Sequence, residues 1–220
     1  MKTRLIDKQL QNEMLQTINA HALSYGKGKA IDSRVIYAMT LIPRHHFVKE
    51  LSYEDMPVPI GHGQTISQPF IVAYMTDMLQ LQPLHRVLEI GMGSGYQAAI
   101  LSELVQEVYT VERIKELYEM TAPKLKKYEN IISKVGDGYK GWKEFAPYDR
   151  IMVTAMADEI PTELTKQLVD GGKMIIPVKG KLLLVTKKKE IAGVPLIEQQ
   201  SLIGVRFVPF VKDVLDEDVC

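Results

Sequence analysis

Cysteine is nearly absent from this 220-residue chain: the one present is Cys220. No disulfide can close within the chain, which predicts a reducing compartment, the cytoplasm. Net charge is absent as well. Lys plus Arg and Asp plus Glu number 27 each, a formal charge of +0, so no overall field draws the chain to nucleic acid or to a membrane. Long apolar runs are missing too. The opening M-K-T-R-L-I-D-K-Q-L interleaves charge with apolar positions, and nothing after it has the length of a signal-peptide core or a membrane span. Internal repeats and low-complexity segments are not found.

What is present is ordinary soluble composition: 46% hydrophobic and 25% charged residues, outside the range of disordered chains. The length predicts a single domain over 1–220, able to bury a full core without staples. The eleven Met residues are scattered, as expected of core filler.

The stretch from His85 to Gly95, H-R-V-L-E-I-G-M-G-S-G, organises the rest. Val87, Leu88 and Ile90 form a short apolar run that predicts a buried parallel strand. Gly91, Gly93 and Gly95 let the chain turn and bring bare backbone near a ligand. An apolar helix over 96–104 completes the start of a βαβ unit. The spacing is G-x-G-x-G with Tyr96 next, neither the dinucleotide G-x-G-x-x-G nor a P-loop ending in G-K-[ST]. Glu89, just before the glycines, would repel a pyrophosphate and suits a cationic ligand. S-adenosylmethionine, with a sulfonium, an ammonium and no phosphate, fits that charge logic.

Apolar spacing predicts an amphipathic helix ending near Gly26, a G-K-G-K loop at 26–29 and a second helix capped by Asp32 or Ser33. Residues 51–61, with two prolines, predict irregular extended chain. In G-H-G-Q-T-I-S-Q-P-F at 61–70, Gln64, Thr65 and Ser67 offer short polar groups. Pro69 opens a helix to about residue 79, so Ser67 reads first as its N-cap. Further strands are predicted at 107–111, 131–135, from 148 to Thr154, at 174–178 and 182–186, and at 202–211. Helices lie between them over 114–128, where Pro123 should kink or break the helix, and over 161–169, closed by Gly171-Gly172. K-G-K at 179–181 is a tight turn, K-K-K-E at 187–190 a solvated turn, and the acidic tail frayed. His45 and His46 are adjacent and could not share a metal from one helix; no metal site is predicted.

Alternating strands and helices over 84–178, then a strand-rich end, predict a doubly wound, mostly parallel α/β sheet with antiparallel additions. Ligands of such sheets lie beyond the strands' carboxyl ends. Glu89, Gly91, Glu112, Asp137 and Thr154 all fall at that edge. Glu112 lies where an acidic residue reaches a ribose, though a helix-start Glu favoured by the dipole gives the same letter. Asp137, in G-D-G at 136–138, suits an acceptor for an adenine amino group or a plain turn.

Four pieces together resemble the protein-L-isoaspartate O-methyltransferases: P-V-P-I-G-H-G-Q-T-I-S-Q-P at 57–69, V-L-E-I-G-M-G-S-G-Y at 87–96, G-D-G at 136–138 and G-G-K-M-I-I-P-V at 171–178. V-R-F-V-P at 205–209 looks like the family's closing strand. The resemblance covers most of the chain after about residue 34, and Q-T-I-S is its specific part. It implies a Rossmann-like class I methyltransferase with a seven-stranded sheet. The expected divisions are 1–83 (N-terminal helices and the Q-T-I-S segment), 84–178 (cofactor core) and 179–220 (C-terminal hairpin and tail). It implies methyl transfer from S-adenosylmethionine to the free carboxyl of L-isoaspartyl residues in damaged proteins and peptides, the start of repair, with no nucleic acid, membrane or metal. By motif, Ser67 is the catalytic serine. Thr65, Ile66, Ser67, Glu89, Gly91, Gly93, Gly95, Glu112, Arg113, Asp137 and Gly138 hold the cofactor, and Gln64, Ser67 and Thr154 the substrate. Met92 stands where the family commonly has Thr.

The alternatives are a methyltransferase of this fold acting on a small molecule or RNA, an NAD-dependent oxidoreductase, and a non-catalytic cofactor-binding scaffold. Q-T-I-S and the lack of a basic stripe oppose the first, the glycine spacing the second, and the polar set at 64–67 the third.

Overall fold

Five short runs of Val, Ile, Leu and Met become parallel strands because helices cover them on both faces. The computed structural model describes residues 2–25, 28–191 and 194–212. Gly26 and Lys27 of the expected loop, Cys220 and the acidic tail lie outside the described residues. The chain opens with helices α1 (Lys2–Tyr25) and α2 (Ser33–Leu41), then a small hairpin of β1 (Val58–Gly61) and β2 (Gln64–Ile66), then α3 (Pro69–Met78). The alternating part follows: β3 (Arg86–Ile90), α4 (Tyr96–Ser102), β4 (Glu107–Glu112), α5 (Lys115–Leu125), β5 (Ile131–Val135), β6 (Tyr148–Val153), α6 (Thr162–Lys166) and β7 (Leu168–Val178). It closes with β8 (Lys181–Ile191) and β9 (Val194–Gly204).

The seven-stranded sheet has the order β5-β4-β3-β6-β7-β8-β9. Strands β3 to β7 pair in parallel; β8 and β9 are antiparallel additions. The order reverses between β3 and β6, which opens a crevice beyond the ends of those two strands. Alternation along β3 divides the core. Val87 packs with Ala99 and Ile100 of α4 on one face, while Leu88 and Ile90 pack with Tyr109, Ile151 and Leu164 on the other. Fully buried Arg44 ties the N-terminal part to this core: its guanidinium lies 5.1 Å over the Tyr96 ring. Burial lowers its pKa to about 10. No helix of the described residues is long and apolar enough to cross a membrane.

Five local expectations are corrected. Residues 58–61, the end of the stretch read as irregular, form β1 of the β1–β2 hairpin, turned by His62 and Gly63 with φ of 53° and 68°. Pro123 does not interrupt α5 in mid-course; it sits in the last turn, and the helix ends two residues on at Leu125, short of the expected 128. Gly171 and Gly172 do not close a helix. They lie inside β7 beside a register shift against β6, and a Cβ at Gly172 would come 2.8 Å from Val169 O, so they serve a bulge. K-K-K-E at 187–190 is no turn but a continuation of β8. Lys187 is buried and its Nζ donates to Leu168 O at 2.9 Å, while Lys188 pairs with Glu198 at 2.6 Å. A charged stretch that pairs with β9 reads like a turn when only polarity is counted. The expected strand at 202–211 ends at Gly204; beyond it the chain leaves the sheet and crosses to the loop after β6. There Met156 N donates to Val208 O and Phe210 N to Met156 O, each at 2.7 Å. The Lys179-Gly180 turn is tight as expected, with φ of 46° and 81°, the twist a two-residue hairpin favours.

Candidate active site

The cleft opens at the β3/β6 reversal. Leaving β3, the chain passes Gly91, Gly93 and Gly95, all with positive φ, conformations that cost a residue with a side chain. A Cβ on Gly91 would also collide with Thr154 Oγ1. The loop is braced on three sides. Thr154 Oγ1, at the end of β6, donates toward Ile90 O and Gly91 O at 3.0 and 2.9 Å. Thr121 Oγ1 of α5 donates to Gly93 O at 2.8 Å. Glu112 Oε2, at the end of β4, accepts from Gly93 N at 2.9 Å.

Glu112 is 6% exposed and faces the cleft. Its other oxygen accepts from Arg113 N and Ile114 N at 2.9 and 3.0 Å. Three backbone donors therefore hold the carboxylate in one orientation, with lone pairs remaining for a ligand's hydroxyls. Beside it the wall is apolar, from Val111, Ile114, Leu117 and Phe210, and backbone approaches closely at Gly138. A Cβ on Gly138 would come 2.9 Å from Phe210 Cε2. A flat apolar slot beside a fixed carboxylate fits a nucleoside, and the cleft's bare glycine loop carries no Lys to match a phosphate.

Gln64, Thr65, Ile66 and Ser67 form the opposite wall. Ser67 is not the N-cap of α3; that position is Gln68, whose side chain does not cap. The Ser67 hydroxyl has no hydrogen bond to protein among the described residues. It is half-buried and available. A second cavity continues past Ser67, lined by Thr65, Ser67, Gln68, Thr154, Arg206 and Phe207 among others. Thr65, Ser67, Thr154 and Val208 line both spaces, so the two chambers adjoin around Ser67.

Of the sequence-predicted residues, Gln64, Thr65, Ile66, Ser67, Gly91, Gly93, Glu112, Arg113, Gly138 and Thr154 come together on this cleft. Three do not line it. Glu89 is fully buried beneath the loop. Strand side chains stand off the sheet face, so Glu89 points into the layer between sheet and helices rather than out of the strand end. It pairs with Thr110, whose hydroxyl donates to it, and burial pushes its pKa up to about 8. Fully buried and off the cleft wall, it does not present its carboxylate to a ligand there. Gly95 packs instead: a Cβ there would come 2.9 Å from Leu125 Cδ2 and 3.0 Å from Thr121 Cγ2. The Asp137 carboxylate accepts from Tyr139 N at 2.9 Å and caps a short turn, which favours the turn reading; Gly138, next to it, meets the cleft.

Sequence reasoning missed Gln97, Leu117 and the lid of 208–211. Gln97 lies on the first turn of α4 and donates to Thr76 Oγ1 at 3.0 Å. Phe210 stacks on Tyr139 with ring centroids 3.9 Å apart. Their apolar letters give no signal, because their place in the cleft comes from a contact between the C-terminal segment and the β6 loop. The proline and two Phe residues after β9 are the only hint. Met92 is buried in the core and also lines the cleft. His45 Nδ1 lies 2.6 Å from Tyr53 Oη, and no cluster of metal-ligating side chains occurs among the described residues.

Known proteins share this architecture and sequence. A protein-L-isoaspartate O-methyltransferase of Dictyoglomus thermophilum is 53% identical over 186 residues, covering 80% of this chain and 82% of the relative. One from Cupriavidus necator is 47% identical over 208 residues, covering 90% and 79%. A solved protein-L-isoaspartate O-methyltransferase superposes with a TM-score of 0.80 at 27% identity, over 94% of this chain and 67% of that one. A candidate enzyme of the same name from Plasmodium falciparum, solved in complex with S-adenosyl-L-homocysteine, gives 0.77 at 27% identity over 91% and 98%. With residues 14–215 matching the family Protein-L-isoaspartate(D-aspartate) O-methyltransferase (PCMT), and with relatives this near, the chain belongs to that family.

Proposed function

We propose that this protein transfers a methyl group from S-adenosylmethionine to the free carboxyl of L-isoaspartyl residues in damaged proteins and peptides, which begins their repair. The observation that carries the reading is the meeting of two chambers at Ser67: one suits a nucleoside-bearing donor, the other an extended peptide. In the donor chamber Glu112 would hold the ribose hydroxyls. Gly138 and Phe210 would flank the adenine, and the glycine loop with Thr65 and Ile66 the amino-acid part. When bound, the cofactor supplies a methyl group on a sulfonium, an electrophile that an ionised carboxylate accepts without a general base.

A carboxyl group with a reference pKa near 4 is already ionised at neutral pH. The protein's task is therefore alignment and exclusion of water. The Ser67 hydroxyl donates a hydrogen bond to one carboxylate oxygen and turns the other toward the donor chamber. Thr154 keeps Gly91 in place and bounds the space where the chambers join. Exposed Arg206, at the rim of the acceptor chamber, adds a cation on the side from which an anionic acceptor enters.

The same reading takes the chain as one methyltransferase unit acting in the cytoplasm on protein and peptide substrates, not on nucleic acid or membranes. Support comes from the continuous sheet spanning β3 to β9, the lone cysteine and the zero net charge. The test is transfer of labelled methyl from S-adenosylmethionine to matched isoaspartyl and aspartyl peptides. Transfer to the isoaspartyl peptide alone is expected; equal labelling of both, or of neither, rejects the assignment.

A further inference from the structure

Gln68 follows Ser67 and lines the acceptor chamber. Its Nε2 donates to Asp55 Oδ2 at 2.9 Å. Asp55 lies on the irregular segment before the hairpin, and its side chain is 8% exposed. Its other oxygen, Oδ1, accepts from Phe70 N at 2.8 Å. That bond supplies the cap that α3 lacks locally. His21 Nδ1 of α1 lies 2.7 Å from the same Oδ2. An ionised carboxylate only accepts hydrogen bonds, so Asp55 fixes the Gln68 amide in one of its two orientations. The NH2 end is held by Asp55. The carbonyl end, Oε1, has no protein partner among the described residues.

We propose that Gln68 binds substrate: its Oε1 accepts a backbone N–H within one residue of the isoaspartyl carboxyl, and Asp55 is the positioning residue that aims it. The inference rests on the isoaspartyl reading and deepens it. A free acceptor beside the Ser67 hydroxyl makes a complementary pair, a donor for the acceptor carboxylate and an acceptor for a neighbouring amide. Such a pair orients a peptide without reading its side chains, as suits an enzyme that must accept damage in many sequence contexts.

The test uses the full chain, one isoaspartyl peptide and two analogues. In each analogue one flanking amide N–H, that of the isoaspartyl residue or of the next residue, is replaced by an ester oxygen. Gln68→Ala should raise the peptide KM about three- to tenfold, the range of one neutral hydrogen bond, and leave the KM for S-adenosylmethionine unchanged. One ester analogue should cost the wild type a similar factor in kcat/KM and cost Gln68→Ala nothing further. Asp55→Asn keeps an acceptor for Phe70 N, but its Nδ2 turns the Gln68 amide around and presents NH2 to the substrate. It should therefore lose as much as Gln68→Ala. Added to Gln68→Ala, Asp55→Asn should raise the peptide KM no further, which a purely structural role for Asp55 does not predict. Equal losses for wild type and Gln68→Ala on both esters overturn the proposal, as does a further loss when Asp55→Asn is added to Gln68→Ala. Absence of transfer to the parent peptide by the wild type is a different failure: it removes the isoaspartyl reading itself, and this inference with it.

Discussion

Glu112 and Ser67 face each other across one cleft, yet they arrive there by different means. Glu112 ends a buried parallel strand, in register with β3 and β5, and three backbone N–H groups hold its carboxylate. Ser67 follows a three-residue strand of a two-stranded hairpin, outside the main sheet, and no hydrogen bond among the described residues holds its hydroxyl. The donor wall is thus fixed by the sheet, where a strand slipped by one residue would turn its whole core face outward. The acceptor wall is fixed by scattered side-chain bonds to backbone, Asp55 to Phe70 above all. A rigid donor side and a hydroxyl free to take a partner suit a reaction in which one reactant is constant and the other varies.

The comparison is broken most directly at Glu112. Replacing it with Ala removes the ribose acceptor and leaves Gly93 N, Arg113 N and Ile114 N to find other partners. Cofactor binding should weaken by roughly 1.5–3 kcal/mol, the range for hydrogen bonds to a charged group. Titration calorimetry checks this, and wild-type affinity would sink the ribose role. At the other wall, Ser67→Ala should leave cofactor affinity intact and lower turnover on an isoaspartyl peptide roughly ten- to hundredfold, the loss of one hydrogen bond to a charged group. If the variant instead binds cofactor poorly while turning over normally, the two walls have been assigned the wrong way round.

A third effect is specific to the buried layer. The Glu89 pKa is raised to about 8 from 4.5, mainly by burial, with the Thr110 hydrogen bond opposing and the charge of Glu112 adding to the rise. Between those values the folded protein keeps a proton that the unfolded chain has released. The Glu89 contribution is therefore fully present below pH 4.5 and is lost as pH rises toward 8. Wild-type unfolding in urea should lose stability from pH 5 to 8 relative to Glu89→Gln, which cannot titrate. Parallel pH profiles for the two proteins would show that Glu89 is ionised in the fold, and its place beneath the loop would need another account.

Much of the donor wall was legible. Strand, glycine turn and helix follow from local letters: an apolar run, three glycines that only positive φ explains, and an acidic residue one βα unit further on. Glu89 misled because its position along the chain is right while its direction is not; the letter shows where a strand ends but not which face its penultimate side chain takes. Asp137 serves the turn, its carboxylate accepting from Tyr139 N, and the acceptor capacity it keeps is compatible with the adenine role as well. Lys187 misled through polarity, since its stem is buried and its Nζ finds carbonyls that no sequence pattern announces.

The sequence by itself determined the parallel core, the glycine loop, the site of Glu112 and, by likeness in Q-T-I-S, the kind of chemistry, because each depends on neighbours within a few residues or on strict alternation. Only the tertiary structure decided that 208–211 lies over the cleft, that two chambers meet at Ser67 and that Asp55 aims Gln68. Those arrangements join segments far apart in the chain through one or two hydrogen bonds each, and contacts so few and so distant leave no period, spacing or composition to read.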